Sequence, residues 1–454
     1  MHEPATIFRP DGLLARHLPG FTYRHAQEEM GRLVRESLVE SRHLAVEAGT
    51  GIGKTFAYLV PVLLSGRRAV ISTGTKTLQD QLFDRDLPML GAAIGRPVKV
   101  ALLKGRNNYL CWHRLDLAEQ DGVRRGERAS LFSDIRSWAR SGTNGDLTEL
   151  ADFSERDDLR GRITSTAENC LGNRCEFFDE CFVAEARRQA QAADVVIVNH
   201  HLLLADLALK EAGFGALLPG ADAVIVDEAH QLPDIAQQFF GVSLSGNELK
   251  RLARDVIAES RAVGLSGELE ALSDSLDKSA NDARLAAGKA AGRIPWDECP
   301  TSLKEAVSDW TECLEALGAA LEPAVEISPG LRTCWERCRD GAARVNALQE
   351  ADPRGLRWVD VAARSVIVHW TPLDTGAELG SKIEAHGGTW IFASATLAVG
   401  DDFSHFLDRA GLADPETQVL PSPFDFANNA RLYLPYDLPQ PADPDFVPRM
   451  LTEV

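Results

Sequence analysis

Six short apolar runs punctuate the chain: Leu44–Val46, Ala69–Ile71, Val98–Leu103, Val195–Val198, Val224–Val226 and Trp390–Phe392. Each is followed by polar or turn residues, and stretches of helical periodicity separate them. Runs without alternation read as strands buried on both faces, the mark of a mostly parallel sheet covered by helices. In such sheets the binding loops lie at the carboxyl ends of the strands. The rhythm breaks twice. Residues 104–190 are polar, arginine-rich and carry four cysteines. Residues 236–370 are rich in Ala, Leu, Glu and Arg at helical spacing, as in Leu249, Leu252, Val256 and Ile257, then Leu265, Leu269 and Leu272. No strand-like run is expected there before about 358–370. The expected organisation is one α/β domain in three pieces, 1–103, 191–235 and 371–420. Two insertions, 104–190 and 236–370, interrupt it, and 421–454 follow it.

Two strand ends carry chemistry. After Leu44–Val46 comes Ala48, Gly49, Thr50, Gly51, Ile52, Gly53, Lys54 and Thr55, followed by a helix-like run. This is a phosphate-binding loop pattern in its required strand–loop–helix context. Glycines let main-chain N–H groups close around a di- or triphosphate. Lys54 can reach the outer phosphates, and the Thr55 hydroxyl can ligate Mg²⁺. The positive end of the following helix points at the same phosphates. The second strand, 222–226, ends in Asp227-Glu228-Ala229-His230. Asp227 suits the Mg²⁺ shell, Glu228 suits orienting and deprotonating an attacking water, and His230 suits coupling to a neighbouring motif.

Cys111, Cys170, Cys175 and Cys181 follow C-x58-C-x4-C-x5-C. Four thiolates suit a tetrahedral zinc site or an iron–sulfur cluster. Neither close pair has the C-x2-C form common in structural zinc. Spacing alone leaves cluster, zinc and plain burial all open. Cys299, Cys313, Cys334 and Cys338 read as core cysteines. Eight cysteines in a chain with no signal-like start point to metal binding or burial rather than disulfides. No run approaches a membrane span, so the expected compartment is the cytoplasm. The net charge of −19 argues against non-specific coating of nucleic acid but leaves room for a local basic groove.

Further motifs appear in a fixed order. Phe21-Thr-Tyr-Arg24-His-Ala-Gln27 precedes the loop. Ser72-Thr73-Gly-Thr75-Lys-Thr-Leu-Gln-Asp-Gln81 follows it, then Val196-Ile-Val-Asn199-His200, and then Ser394-Ala-Thr396-Leu397. Together with Lys104-Gly-Arg106-Asn-Asn-Tyr-Leu-Cys111, they make the chain resemble the iron–sulfur superfamily 2 DNA helicases, the DinG/YoaA/XPD-like group. The resemblance covers essentially the whole chain. It implies a RecA-like P-loop motor domain interrupted by an iron–sulfur cluster insertion and a helical arch insertion. Arg24 and Gln27 would contact the adenine of ATP. A Gln amide offers a donor and an acceptor, as reading such an edge requires. Thr73, Thr75 and Arg106 would contact the DNA backbone. Ser394 and Thr396 would couple hydrolysis to strand movement. The four cysteines would bind one [4Fe–4S] cluster. Tyr109, Trp112 and Phe182 could stack on bases, although each fits a core position better.

The resemblance further implies ATP-dependent unwinding, 5′ to 3′, of single-stranded and forked DNA in repair or replication. The protein would act as a monomer with unnamed repair or replication partners. A complete helicase of this group has a second motor domain with an arginine-bearing motif. None is seen in 397–454, so 421–454 is expected to open a truncated second motor domain. Two rivals stand beside this reading. One is a P-loop ATPase that remodels protein. The other is a non-hydrolysing ATP- and DNA-binding iron–sulfur module.

Overall fold

The structure is a computed structural model. It describes residues 4–18, 20–124, 129–150, 158–211, 217–265, 267–288, 291–350 and 354–453. The apolar runs form strands. They are β1 (Leu44–Ala48), β2 (Ala69–Thr73), β3 (Val100–Leu102), β4 (Val195–Asn199) and β5 (Ala223–Asp227). Four strands then belong to the second insertion: β6 (Val242–Ser245), β7 (Gly292–Pro295), β8 (Gly355–Val361) and β9 (Val366–Pro372). Last come β10 (Thr389–Ser394) and β11 (Glu416–Leu420).

Seven strands build one sheet in the order β11-β1-β10-β5-β2-β4-β3, every neighbouring pair parallel. Successive residues along a strand face opposite sides. Leu44, Val46, Ile71, Ile197 and Ile225 therefore enter one apolar core, under the helices His25–Glu40 and Lys54–Ser65. Ala45, Val70, Val196, Val224, Val226, Trp390 and Phe392 enter the other, with Leu203 and Leu379 from covering helices. Both faces are buried, which is why these runs do not alternate with polar residues.

The insertion after β5 carries β8 and β9 where the strand-like run at about 358–370 is expected, and adds β6 and β7, which are not expected. Its helices Gly246–Ala262, Glu268–Ala286, Thr301–Leu321 and Pro329–Gln349 pack around fully buried Trp310. They also lean on an antiparallel sheet, β6-β9-β8-β7. Two of its strands are only four residues long, too short to stand out as apolar runs. Cys299, Cys334 and Cys338 are buried in this core and Cys313 packs against it, as expected of core cysteines.

The cysteine-bearing insertion has a small core of its own, built on Leu110, Trp112, Leu115, Phe132, Ile135 and Ile163. Trp112 stacks on Phe182 with ring centroids 5.7 Å apart and donates its indole N–H to Glu180 O. Tyr109 is buried as well. Tyr109 and Trp112 fill the core, while Phe182 packs against it half-buried.

Candidate nucleotide and DNA site

The loop after β1 is shaped by three glycines, two facing the segment after β11 and one facing the helix His25–Glu40. Gly51 and Gly53 hold φ of 87° and 86°, left-handed values that side chains rarely adopt. A Cβ on Gly49 would fall 2.6 Å from Ser422 N, one on Gly51 2.4 Å from the Phe424 ring, and one on Gly53 2.4 Å from Gln27 Nε2. Gly49 N–H donates to Leu420 O, and the Ser422 hydroxyl donates to Thr50 O at 2.7 Å. Ala48 and Ile52 are buried beneath the loop. Gln27 is also buried. Its amide donates to Gly53 O at 3.0 Å, while its Oε1 has no hydrogen-bond partner. It therefore braces the loop in this state. That bond leaves the second amide N–H and Oε1 unused. Arg24 precedes the helix carrying Gln27 and is half-buried.

β5 delivers the carboxylates. Tyr58, one helical turn beyond Lys54, donates its hydroxyl to Asp227 at 3.0 Å and lies beside Thr55. Burial raises the Asp227 pKa to about 6, and neighbouring Glu228 adds to the rise. A divalent cation would reverse that by supplying the missing positive charge. Glu228 sits at φ 56°, a left-handed conformation that costs a non-glycine residue about 1–3 kcal/mol. That turn brings its carboxylate 3.9 Å from Lys54 Nζ. Its other oxygen accepts from the Ser394 hydroxyl at 3.4 Å, and Ser394 Oγ lies 2.8 Å from His230 Nδ1. Thr396 N–H also points to Ser394 Oγ. The DEAH carboxylate, its histidine and the β10 hydroxyl thus form one cluster.

Glu47 was not singled out in the sequence. At the end of β1 it accepts from Leu397 N–H and Ala398 N–H at 2.6 and 2.7 Å. It ties the phosphate loop's strand to the segment after Ser394. A charged residue inside an apolar strand was the available signal. Tyr58 had a signal too, since its i+4 spacing from Lys54 places it on the same helix face.

The Thr73 hydroxyl is spent within the turn, whereas exposed Thr75 keeps its hydroxyl proton. Buried Thr73 donates to Thr75 O, and the Thr75 hydroxyl caps the helix Lys76–Gln81 by accepting from Leu78 N–H. Main-chain groups of this turn and the Thr75 hydroxyl proton are the ones left to meet a phosphate. Lys104, also missed, is a buried cation between Asp80 at 2.9 Å and Asp146 at 2.7 Å. It pins the cysteine-bearing insertion to the helix that follows β2.

The four cysteines Cys111, Cys170, Cys175 and Cys181 are all free thiols. Burial pushes the Cys111 thiol up to about 12, with Cys170 and Cys175 adding to the effect. Cys175 is raised by burial, then by Cys181 and Cys170. The thiols share one neighbourhood. Among the described residues, no three His, Cys, Asp or Glu side chains close on a point suited to a single ion. Arg187 is held below its usual range by burial and by Arg106, with Cys170 and Cys181 nearby. Arg106 itself reaches Ala167 O at 3.5 Å.

A parallel sheet that carries a glycine-rich phosphate loop after one strand and a carboxylate pair after a central one defines a RecA-like P-loop motor fold. The DEAD/DEAH box helicase model matches residues 27–119 and the DEAD_2 model residues 141–249. The ATP-dependent DNA helicase YoaA of Haemophilus influenzae is 41% identical over 445 residues, spanning 96% of this chain and 69% of that protein. YoaA of Escherichia coli is 40% identical over the same share of this chain and 70% of its own. The ATP-dependent helicase DinG of Mycobacterium tuberculosis is 31% identical, covering all of this chain and 72% of its own length. A solved XPD helicase superposes over 88% of this chain and 62% of its own, with a TM-score of 0.47 at 13% identity. The chain belongs to the YoaA/DinG family of ATP-dependent DNA helicases. Among the described residues, no helix is long and apolar enough to cross a membrane.

Proposed function

We propose that this chain is the ATP-binding motor portion of a DNA helicase that separates strands 5′ to 3′ on single-stranded and forked DNA, in the cytoplasm. The observation that carries it is the meeting of Lys54 and Glu228 at 3.9 Å, with Glu228 joined to His230 through Ser394. In this reading Lys54 neutralises the outer phosphates of ATP, and Thr55 and Asp227 hold Mg²⁺. Glu228 orients the attacking water and takes its proton. Ser394 and His230 sense the change at Glu228 and pass it to the Thr396 segment. Glu47 keeps that segment attached to β1. The pieces 1–103, 191–235 and 371–420 form the first motor domain, with 421–454 opening the next.

Cys111, Cys170, Cys175 and Cys181 would hold a [4Fe–4S] cluster. The donor set fits: four free, half-buried thiols in one neighbourhood, with Cys111 and Cys175 raised by burial in a way bound iron would reverse. Bound there, the cluster would cross-link 111 to 170–181 and stiffen the insertion that 236–370 faces. ATP turnover and duplex unwinding by the complete polypeptide test the reading, with 5′- and 3′-tailed forks. Stimulation of turnover by single-stranded DNA and preference for the 5′ tail are expected. Turnover indifferent to DNA would favour a protein-remodelling ATPase. Binding of ATP and DNA without turnover would favour a passive iron–sulfur module.

A further inference from the structure

The Asn199-His200 motif at the end of β4 plays no part in the mechanism above, yet it is among the most enclosed polar groups of the sheet. β2 lies between β4 and β5. His200 opens the helix after β4 and reaches across the end of β2. Its Nδ1 lies 2.7 Å from Ser72 Oγ, and both side chains are sealed from solvent, at 1% and 0% exposure. Its Nε2 is buried and turned toward the main chain of Asp227 and Glu228, but makes no hydrogen bond of ordinary geometry. A buried polar nitrogen without a partner is costly, and such exceptions call for a reason.

We propose that His200 is a positioning residue that carries the state of the DNA-contact turn after β2 to the Asp227–Glu228 peptide. The inference rests on the helicase reading. The imidazole is sealed from solvent and its bonded partner is a neutral hydroxyl, so the ring is neutral and carries one N–H. When the Ser72 hydroxyl donates to Nδ1, the proton sits on Nε2 and faces the carbonyls of β5. When Ser72 turns to accept, Nε2 becomes a bare acceptor facing those same carbonyls. Ser72 is therefore tied to the tautomer, and the tautomer to whether the β5 peptide is held. Thr73, next to Ser72, is bonded to Thr75 O. A phosphate bound at residues 73–75 shifts this turn, and Ser72 with it. At the other end stands Glu228, held at φ 56°, so a small movement of its peptide re-aims the carboxylate that faces Lys54.

The test uses the complete polypeptide and three variants, His200→Asn, His200→Gln and His200→Phe. ATP turnover is measured with and without single-stranded DNA, alongside DNA affinity and fluorescent ADP affinity. Asn can reproduce the bond to Ser72 but not the reach to β5. Gln can reach β5. Asn and Phe are expected to lower stimulation by DNA about tenfold, within the usual range for coupled sites. Turnover without DNA and both affinities should stay near those of the unvaried protein, and Gln should recover part of the stimulation. Undiminished stimulation in the Asn and Phe variants overturns the proposal. So does an equal loss of turnover with and without DNA, which marks a merely structural role. Absence of stimulation in the unvaried protein overturns the helicase reading itself, and this inference with it.

Discussion

Replacing Asp255 by Ala should loosen the join between the cysteine-bearing insertion and the helical one. Asp255 lies in the helix Gly246–Ala262 with its side chain 4% exposed. One oxygen meets Arg114 at 2.6 Å and the other meets Arg337 at 2.7 Å, these side chains being 12% and 10% exposed. Asn169, next to Cys170, donates to the same carboxylate at 3.4 Å. Burial by itself would raise the Asp255 pKa, but Arg114 and then Arg337 outweigh it and hold it below the usual carboxylate value. The stabilisation is therefore present above the unfolded carboxylate pKa and lost as pH falls through the lower folded value. Alanine leaves two guanidinium groups buried without a counter-charge. Breaking a buried pair in this way costs about 3–5 kcal/mol. The arch holds Trp310 and Trp296 in its core, so urea unfolding followed by tryptophan fluorescence reports on it. With a slope of about 2–3 kcal/mol per molar urea, the midpoint should fall by about 1–2.5 M. The fall should be the same from about pH 5 to pH 8. Replacing Asp255, Arg114 and Arg337 together by Leu, Met and Leu should recover most of the loss, since apolar substitution of a whole buried ion cluster is often neutral. A midpoint within about 0.3 M of the unvaried protein would mean a contribution no larger than that of an exposed pair, and would refute the reasoning.

Lys54→Ala should abolish DNA-stimulated ATP turnover in the complete polypeptide while leaving the fold intact by circular dichroism, because no neighbour supplies that charge to the γ-phosphate. Anaerobically purified protein should carry about four iron and four sulfide per chain. Cys111→Ser should lose them and Cys313→Ser should not; stoichiometric zinc without iron would sink the cluster assignment. Lys104→Met leaves Asp146 buried against Thr148 without its cation. It should cost about 3 kcal/mol or more and speed proteolysis within 104–190, which limited trypsin digestion reads directly.

Patterns that depend on neighbours in sequence were legible. The parallel sheet followed from unbroken apolar runs, and the phosphate loop and DEAH turn from short local motifs. The strands β6 and β7 were not, because four residues leaning on helices need no apolar run. Glu47, Lys104 and His200 act across distances in sequence that no local spacing records. Glu47 serves residues 397 and 398, Lys104 joins Asp80 to Asp146, and His200 touches Ser72. Thr73 and Thr75 differ in a way the motif does not record: the Thr73 hydroxyl donates to Thr75 O, while the Thr75 hydroxyl caps a helix as acceptor and keeps its proton.

The three glycines of the phosphate loop have a consequence for how the site can be altered. Each missing side chain is a socket filled from elsewhere: by Ser422 at Gly49, by Phe424 at Gly51 and by Gln27 at Gly53. The loop is thus a knot in which an N-terminal helix and the segment after β11 are fastened to the same few peptides. A substitution at Gln27 or Phe424 loosens the knot from outside and changes nucleotide binding without touching a phosphate. Conversely, a nucleotide that tightens the loop pulls on residues 422–424. The chain beyond β11 is thus tethered to the loop at two points, Ser422 and Phe424.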